Sequence, residues 1–428
     1  MTSRPPSFNN ASLPAGAKTL YLCYFGVREP LVQTQVIPYL REIVAGGVAV
    51  TLLTFEPRLK DWRPHERDEW RDRLASWGIR WISRPYHKRP TLPATVYDII
   101  SGAVLVAKLV RRDRIDVLHA RGHIPATMAY IGRAFTGARL LFDIRGFMPE
   151  EYTDGGLWRK GGFLFRAAKA VERVLMNAAD GFVVLTNKAR EILFPGAVDD
   201  RDLRGRPIEV IPCCVDFERF SADEHNGAPS SRLAGLETRD VFVYVGSLGT
   251  WYLLDAMADL FAAARARNPR AFALILTQSA PELMTARFAA RGLSPEDYRV
   301  EKVDPAEVPQ YLRGANAAVS LIKACYSKQS SSPTKIAEYL AMGLPVICNR
   351  GVGDLDELIE QNRVGVLISE LDAASYAAAL DALDALRRDP SLRERCRATA
   401  LAYFDLSRVG GPRYRELYRR LLAGAADA

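Results

Sequence analysis

Histidine and cysteine are scarce in this 428-residue chain, and their spacing excludes more than their numbers do. The five histidines fall in no pattern with a third ligand close by, so a metal centre is not expected. The six cysteines, Cys23, Cys213, Cys214, Cys325, Cys348 and Cys396, include no C-x-x-C pair, and several lie in apolar, strand-like surroundings. They read as reduced thiols of a cytoplasmic protein. Missing too is an uninterrupted apolar run of the roughly 18 to 20 residues that crosses a bilayer. Residues 1–18, rich in Pro, Ser, Asn and Ala, have no secretory h-region and read as a loose tail.

What is present is an ordinary globular composition, 48% apolar and 25% charged, over a length that suggests two or three domains. The formal charge of +8 points to an anionic partner. No zinc-finger or RNA-recognition pattern accompanies it, so nucleic acid is not expected as that partner.

Short apolar runs alternate with helical stretches along the first half. "TLYLCYFG" (19 to 26), "VAVTLLTF" (48 to 55), "DVLHA" (116 to 120), "ARLLFDIRG" (138 to 146), "GFVVLT" (181 to 186) and "IEVIPCCVD" (208 to 216) read as strands. Buried strands joined by helical crossovers imply a parallel sheet covered on both faces, a doubly wound α/β domain over 19–216. After a polar stretch, a second series opens at "VFVYVGSLG" (241 to 249) and runs through "AFALILT", "YRVEKV", "AAVSLI", "PVICN" and "GVLIS". It defines a second α/β domain over 217–402. Residues 403–428 read as a helical segment that packs back on the first domain. Ligands of such tandem sheets are expected at loops that follow strands, in a cleft between the domains.

The stretch "SSSPTKIAEYLAMGLPVI" (330 to 347) poses the chemical question. Pro333 suits a first helical turn, Ser330, Ser331 and Ser332 can supply caps, and the unpaired N–H groups of such a turn attract phosphate. Thr334 and Lys335 add a hydroxyl and a cation. Glu338, four residues after Thr334, shares its face one turn deeper, where a carboxylate can accept both hydroxyl hydrogens of a ribose. The plainer alternative is a first-turns acid favoured by the helix dipole.

The run "SPTKIAEYLAMGLPVICNRGVGDLDELIEQNRVGVLIS" (332 to 369) resembles the donor-binding segment of GT-B glycosyltransferases of family 4, the retaining nucleotide-sugar enzymes. "VIPCCVDFERF" (210 to 220), "VFVYVGSL" (241 to 248) and "VPQYLRGANAAVSLI" (308 to 322) resemble further segments of that family, and "FDIRGFMPEE" (142 to 151) a strand-end motif of its bacterial polysaccharide members. The resemblance implies two Rossmann-like domains, a nucleotide diphosphate sugar as donor, a glycan or lipid-linked acceptor, and no metal or other cofactor. It also implies polysaccharide, lipopolysaccharide or glycolipid assembly, with retention at the anomeric carbon.

Two departures accompany the matches. Where the family often has Glu-x7-Glu, the second acid is Glu338 but the first position holds Ser330. Where it commonly places Arg after the glycine of "VG" and a Lys shortly afterwards, this chain has Ser247 and, approximately, Trp251 or Tyr252. Lys335, Lys323, Lys328 and Arg145 are the candidates to replace those cations, Lys335 first, and Lys323 ahead of Lys328 because it directly follows a strand.

The resemblance therefore implies a donor site of Gly26, Gly246, Ser247, Lys323, Ser330, Ser331, Ser332, Thr334 and Glu338, with Asp143, Arg145 and Lys335 as catalytic candidates. Asp143 and Arg145 read either as groups near the reacting sugar or as a structural pair holding their turn. In "HARGH" (119 to 123), His119 is expected to pack at a strand end, and Arg121 and His123 to serve the acceptor side.

Residues 159–179 combine Arg159, Lys160, Arg166 and Lys169 with Phe163, Leu164 and Phe165. They read either as a helix lying on an anionic membrane or as a core-facing helix with solvated charges. Two other activities fit the same architecture: a nucleotide-sugar 2-epimerase, and a catalytically idle sugar-nucleotide-binding subunit.

Overall fold

A computed structural model describes residues 16–63, 65–134, 136–220 and 231–423. The tail read over 1–18 lies outside these as far as residue 15, as does 221–230 of the polar stretch between the two strand series.

The chain divides into two compact units, Met1–Pro212 with Leu406–Ala428, and Cys213–Asp405. The first holds seven strands: β1 (Lys18–Cys23), β2 (Ala49–Glu56), β3 (Ile79–Pro85), β4 (Val117–Arg121), β5 (Arg139–Asp143), β6 (Gly181–Val184) and β7 (Ile208–Val210). They pair in parallel in the order β3-β2-β1-β4-β5-β6-β7. The second holds six: β8 (Asp240–Val245), β9 (Ala271–Thr277), β10 (Tyr298–Lys302), β11 (Ala317–Ser320), β12 (Val346–Asn349) and β13 (Gly365–Ile368). Their order is β10-β9-β8-β11-β12-β13, again parallel throughout.

Each sheet is a doubly wound Rossmann-like layer because its central strands are apolar on both faces. β9 is buried along its whole length, as are β11 and β12. Strands of this kind need helices on either side. The order of connection reverses between β1 and β4 in the first sheet, and between β8 and β11 in the second. At such a reversal the two following loops diverge and leave a crevice at the carboxyl ends of the strands.

The sequence reading missed β3 and the long helix after it, Thr91–Asp113. β3 is an edge strand carrying Arg80, Ser83 and Arg84, so its apolar residues alternate with polar ones and make no conspicuous run.

The helix Gly411–Ala423 belongs to the first unit although it follows the whole second unit in sequence. Tyr414, Leu417, Tyr418 and Leu421 are buried in it. The Tyr418 hydroxyl lies 2.9 Å from both the Thr19 hydroxyl on β1 and Nδ1 of His119 on β4. Leu417→Ala removes a side chain that is fully buried, and should cost about 2 to 5 kcal/mol. Urea unfolding of the full chain checks this; an unchanged midpoint would mean that the helix is not an integral part of the unit.

Candidate functional site

The reversal point of the second sheet brings together the loop after β8, the loop after β11, and the helix Thr334–Ala341. The two loops are tied by backbone bonds. The Lys323 N–H donates to the Trp251 carbonyl at 2.8 Å, and the Leu253 N–H to the Leu321 carbonyl at 3.1 Å. Two tyrosines secure the β8 end: the Tyr339 hydroxyl accepts the Val245 N–H at 2.7 Å, and the Tyr244 hydroxyl donates to the Ser247 carbonyl at 2.6 Å. Burial pushes both phenols above the ordinary tyrosine range, so they stay protonated.

Pro333 occupies the cap position of the helix rather than its first turn, and no side chain caps that turn. The three serines are turned elsewhere. Ser330 donates to the Ser327 carbonyl at 2.7 Å, the Ser331 N–H donates to the Lys328 carbonyl, and the Ser332 hydroxyl accepts the Cys213 N–H at 3.0 Å. Capping by Ser330 to Ser332 is thus corrected; the Ile336 N–H donates to the Pro333 carbonyl at 3.0 Å, and the N–H groups of Thr334 and Lys335 are those a ligand can meet.

Lys335 is the unusual member of this site. It is 6% exposed, and its Nζ lies 3.8 Å from the centre of the Tyr252 ring and 4.1 Å from that of Tyr244. Among the described residues its ammonium has no hydrogen-bond partner. Burial pulls its pKa down to about 7, against the raising influence of the Glu338 carboxylate. Gly246 makes the room: its φ is +138°, and a Cβ there would stand 2.7 Å from Nζ of Lys335. A glycine is needed both for that backbone angle and for that approach.

Glu338 is half-buried one turn further along. Burial raises its pKa, while Arg219 and Lys335 pull it back. Thr334, on the same face, is also half-buried, and Ser247 is exposed. The sequence reading favoured Lys323 over Lys328, but the structure reverses their burial. Lys323 is exposed, whereas the 3-10 turn Tyr326–Ser330 folds Lys328 inward until its Nζ lies 3.9 Å over the Trp251 ring.

The first unit gathers a different set. Asp143, at the end of β5, is fully buried. Its carboxylate lies 3.4 Å from Arg145, 3.6 Å from both Arg121 and Nε2 of His119, and 3.5 Å from the donating Tyr414 hydroxyl. Burial alone would raise its pKa; Arg145, His119 and Arg121 overcome that and hold it at about 2. Enclosed in this way, Asp143 positions the basic groups around it. Burial lowers the pKa of His119 despite the Asp143 carboxylate, as suits the packed strand-end role expected of it.

Two further candidates are packed against acids of the first unit. His123, read as an acceptor group, is buried with Nε2 3.1 Å from Glu172, which in turn pairs with Lys169. The cause is the helix Phe163–Ala178, which lays Glu172 over it. Gly26 is packed against Glu56: a Cβ would stand 2.5 Å from Oε2, and the Val27 N–H donates to that carboxylate at 3.0 Å. Among the described residues no three His, Cys, Asp or Glu side chains gather to hold a metal ion.

Sequence reasoning missed Tyr244, Tyr414 and Tyr418, because an isolated tyrosine in an apolar strand or a terminal helix reads as core. Trp251 and Tyr252 were visible only as the absence of cations.

Comparison with known proteins bears on both units. Residues 32–214 match the family model described as glycosyl transferase 4-like domain, and residues 239–385 the model described as glycosyl transferases group 1. No curated protein sequence matches the chain. Sucrose-phosphate synthase from Thermosynechococcus elongatus superposes with a TM-score of 0.72 at 15% identity, over 95% of this chain and 100% of that one. HepE of Anabaena, in complex with UDP and glucose, gives 0.64 at 13%, over 96% and 99%. WaaG, a glycosyltransferase involved in lipopolysaccharide biosynthesis, gives 0.65 at 13%, also over 96% and 99%.

The buried ammonium makes a stability prediction. Below pH 7 the folded chain must carry the Lys335 charge without a hydrogen bond. Lys335→Met should therefore raise the melting temperature there. The gain should shrink as pH climbs toward the ordinary lysine range, because the unfolded chain holds its proton until then and the native protein gains stability across that window. A gain constant with pH would refute the depressed pKa.

Proposed function

The chain belongs to the group 1 glycosyltransferases and has the GT-B fold, and from that premise we propose that it moves a sugar from a nucleoside diphosphate donor to an acceptor hydroxyl with retention at the anomeric carbon. The observation that carries the donor assignment is the Lys335 ammonium, buried without a hydrogen-bond partner beside an uncapped helix start. A diphosphate supplies what both lack: oxygens for the N–H groups of the turn and an anion for the lysine.

In this reading the diphosphate rests on the turn at Thr334 and Lys335, with Gly246 letting its oxygens come close to the backbone. Glu338 accepts from the ribose hydroxyls. As the glycosidic bond breaks, charge grows on the leaving diphosphate, and protonated Lys335 stabilises it in a site of low polarity. The acceptor hydroxyl attacks from the face the diphosphate leaves and passes its proton toward it. Metal need not enter this scheme. Arg121 and Arg145, set by Asp143, serve the acceptor half. HepE holding UDP and glucose supports a uridine donor, and WaaG supports a glycan or lipid-linked acceptor in polysaccharide, lipopolysaccharide or glycolipid assembly. Six cysteines with no disulfide among them suit a cytoplasmic enzyme.

Titration calorimetry with UDP, GDP, ADP and CMP, followed by NMR of the product formed from the matching sugar, tests this. Glu338→Ala should weaken nucleotide binding by about 1 to 3 kcal/mol. Because Lys335 must take up a proton to meet the anion, affinity should fall above pH 7, by about tenfold per unit at the limit. In Lys335→Met that dependence should flatten. Unchanged affinity in both variants would overturn the site, and an inverted product would overturn retention.

A further inference from the structure

One sheet face of the first unit carries helices whose outer sides are apolar and uncovered. The helix Thr91–Asp113 buries Ala94, Ala103, Val106 and Leu109 beneath it, while Val96, Ile100 and Val104, spaced one turn apart, stay 46%, 58% and 51% exposed. By length and composition this helix could cross a bilayer. Its inner side is locked into the core, however: a Cβ at Gly102 would stand 2.7 Å from Met128 and 3.2 Å from Phe55. The helix lies along the unit rather than leaving it.

The next helix, His123–Gly132, packs against it and exposes Tyr130 and Ile131. The helix Phe163–Ala178 packs against that one in turn and directs Phe163, 77% exposed, with Leu164 and Val174, away from the core. The helix therefore presents apolar residues on two sides, Leu175 into the core and Phe163, Leu164 and Val174 outward.

The charges on these helices are sorted by sign. Every acid is withdrawn: Asp98 is buried and bonded to Tyr24 and His87, Asp113 is paired with Arg80 and Arg112, and Glu172 is held by His123 and Lys169. The cations are not. Lys108, Arg111, Arg166 and Arg173 are exposed beside the apolar residues, as are Arg159 and Lys160 just ahead of the third helix.

We propose that this face rests on an anionic lipid surface, its apolar side chains entering the boundary between headgroups and acyl chains and its cations meeting the headgroups. A second copy of the chain suits it less well. Pairing the face with itself would set basic rim against basic rim, with no exposed acid on these helices to answer. The inference goes beyond the transfer reaction, and its test needs no turnover.

The full chain is sedimented with vesicles of phosphatidylcholine alone and of phosphatidylcholine mixed with phosphatidylglycerol. The expected result is binding to the mixed vesicles that weakens with added salt and is at least tenfold weaker on neutral ones. Ile100→Glu combined with Phe163→Glu should reduce it at least tenfold while leaving the melting temperature and nucleotide affinity unchanged. The proposal is overturned if the chain stays in solution with the mixed vesicles, or if the double variant binds them as the parent does. It is equally overturned if sedimentation velocity shows a dimer that the double variant dissolves, with no binding to vesicles.

Discussion

The donor half of this protein is organised around one ammonium group that the fold buries and does not satisfy. Lys335 lies against the faces of Tyr244 and Tyr252, under a backbone that only glycine fits, with no oxygen in hydrogen-bond reach among the described residues. The ring faces attract the charge, and each such contact contributes about 0.5 to 2 kcal/mol. That falls short of what water gives a free ammonium, which is why burial lowers the pKa toward neutrality. The loop conformations nearby follow from the same constraint. Tyr244 on β8 holds the loop that follows it through Ser247, and Tyr339 on the helix holds Val245, so the strand end cannot move away from the helix without breaking the Tyr339 bond.

The two missing cations take on a physical meaning here. Trp251 and Tyr252 stand approximately where the resemblance led a lysine to be expected, and each has a lysine ammonium within 4 Å of its ring centre, Lys328 on Trp251 and Lys335 on Tyr252. Lysine side chains reach these rings from the loop after β11 and from the helix. The Lys335 ammonium, on its ring faces and with no hydrogen-bond partner among the described residues, remains able to meet an anion.

Much of this was legible in the sequence. Buried parallel strands announce themselves as continuous apolar runs, as β9 does; of the two alternating edge strands, β10 was placed by its position in the series and β3, with its arginines, was not. The juxtaposition of Thr334, Lys335 and Glu338 follows from helical spacing alone. What the sequence withheld were contacts between distant segments. Nothing local to His123 foretells Glu172, and nothing in "SKQSSS" shows that Lys328 turns inward while Lys323 turns out. The serines failed as caps because a hydroxyl has several partners within reach: Ser330 takes a carbonyl in its own turn and Ser332 the distant Cys213 N–H.

The two units surround a buried charge in different ways. Asp143 is enclosed by His119, Arg121, Arg145 and Tyr414, the last brought in by a helix that follows the entire second unit. A carboxylate compensated on several sides is held ionised at about pKa 2 and has little left to give a ligand. Lys335 is compensated by ring faces and the field of Glu338 alone. Since a polar group left unsatisfied in the interior costs about 1 to 3 kcal/mol, and more when charged, such a group persists where something outside the fold completes it. Burial by itself therefore does not mark a binding residue. At Lys335 burial is combined with ring faces in place of hydrogen bonds and with a helix start that no side chain caps, and the donor reading rests on that combination.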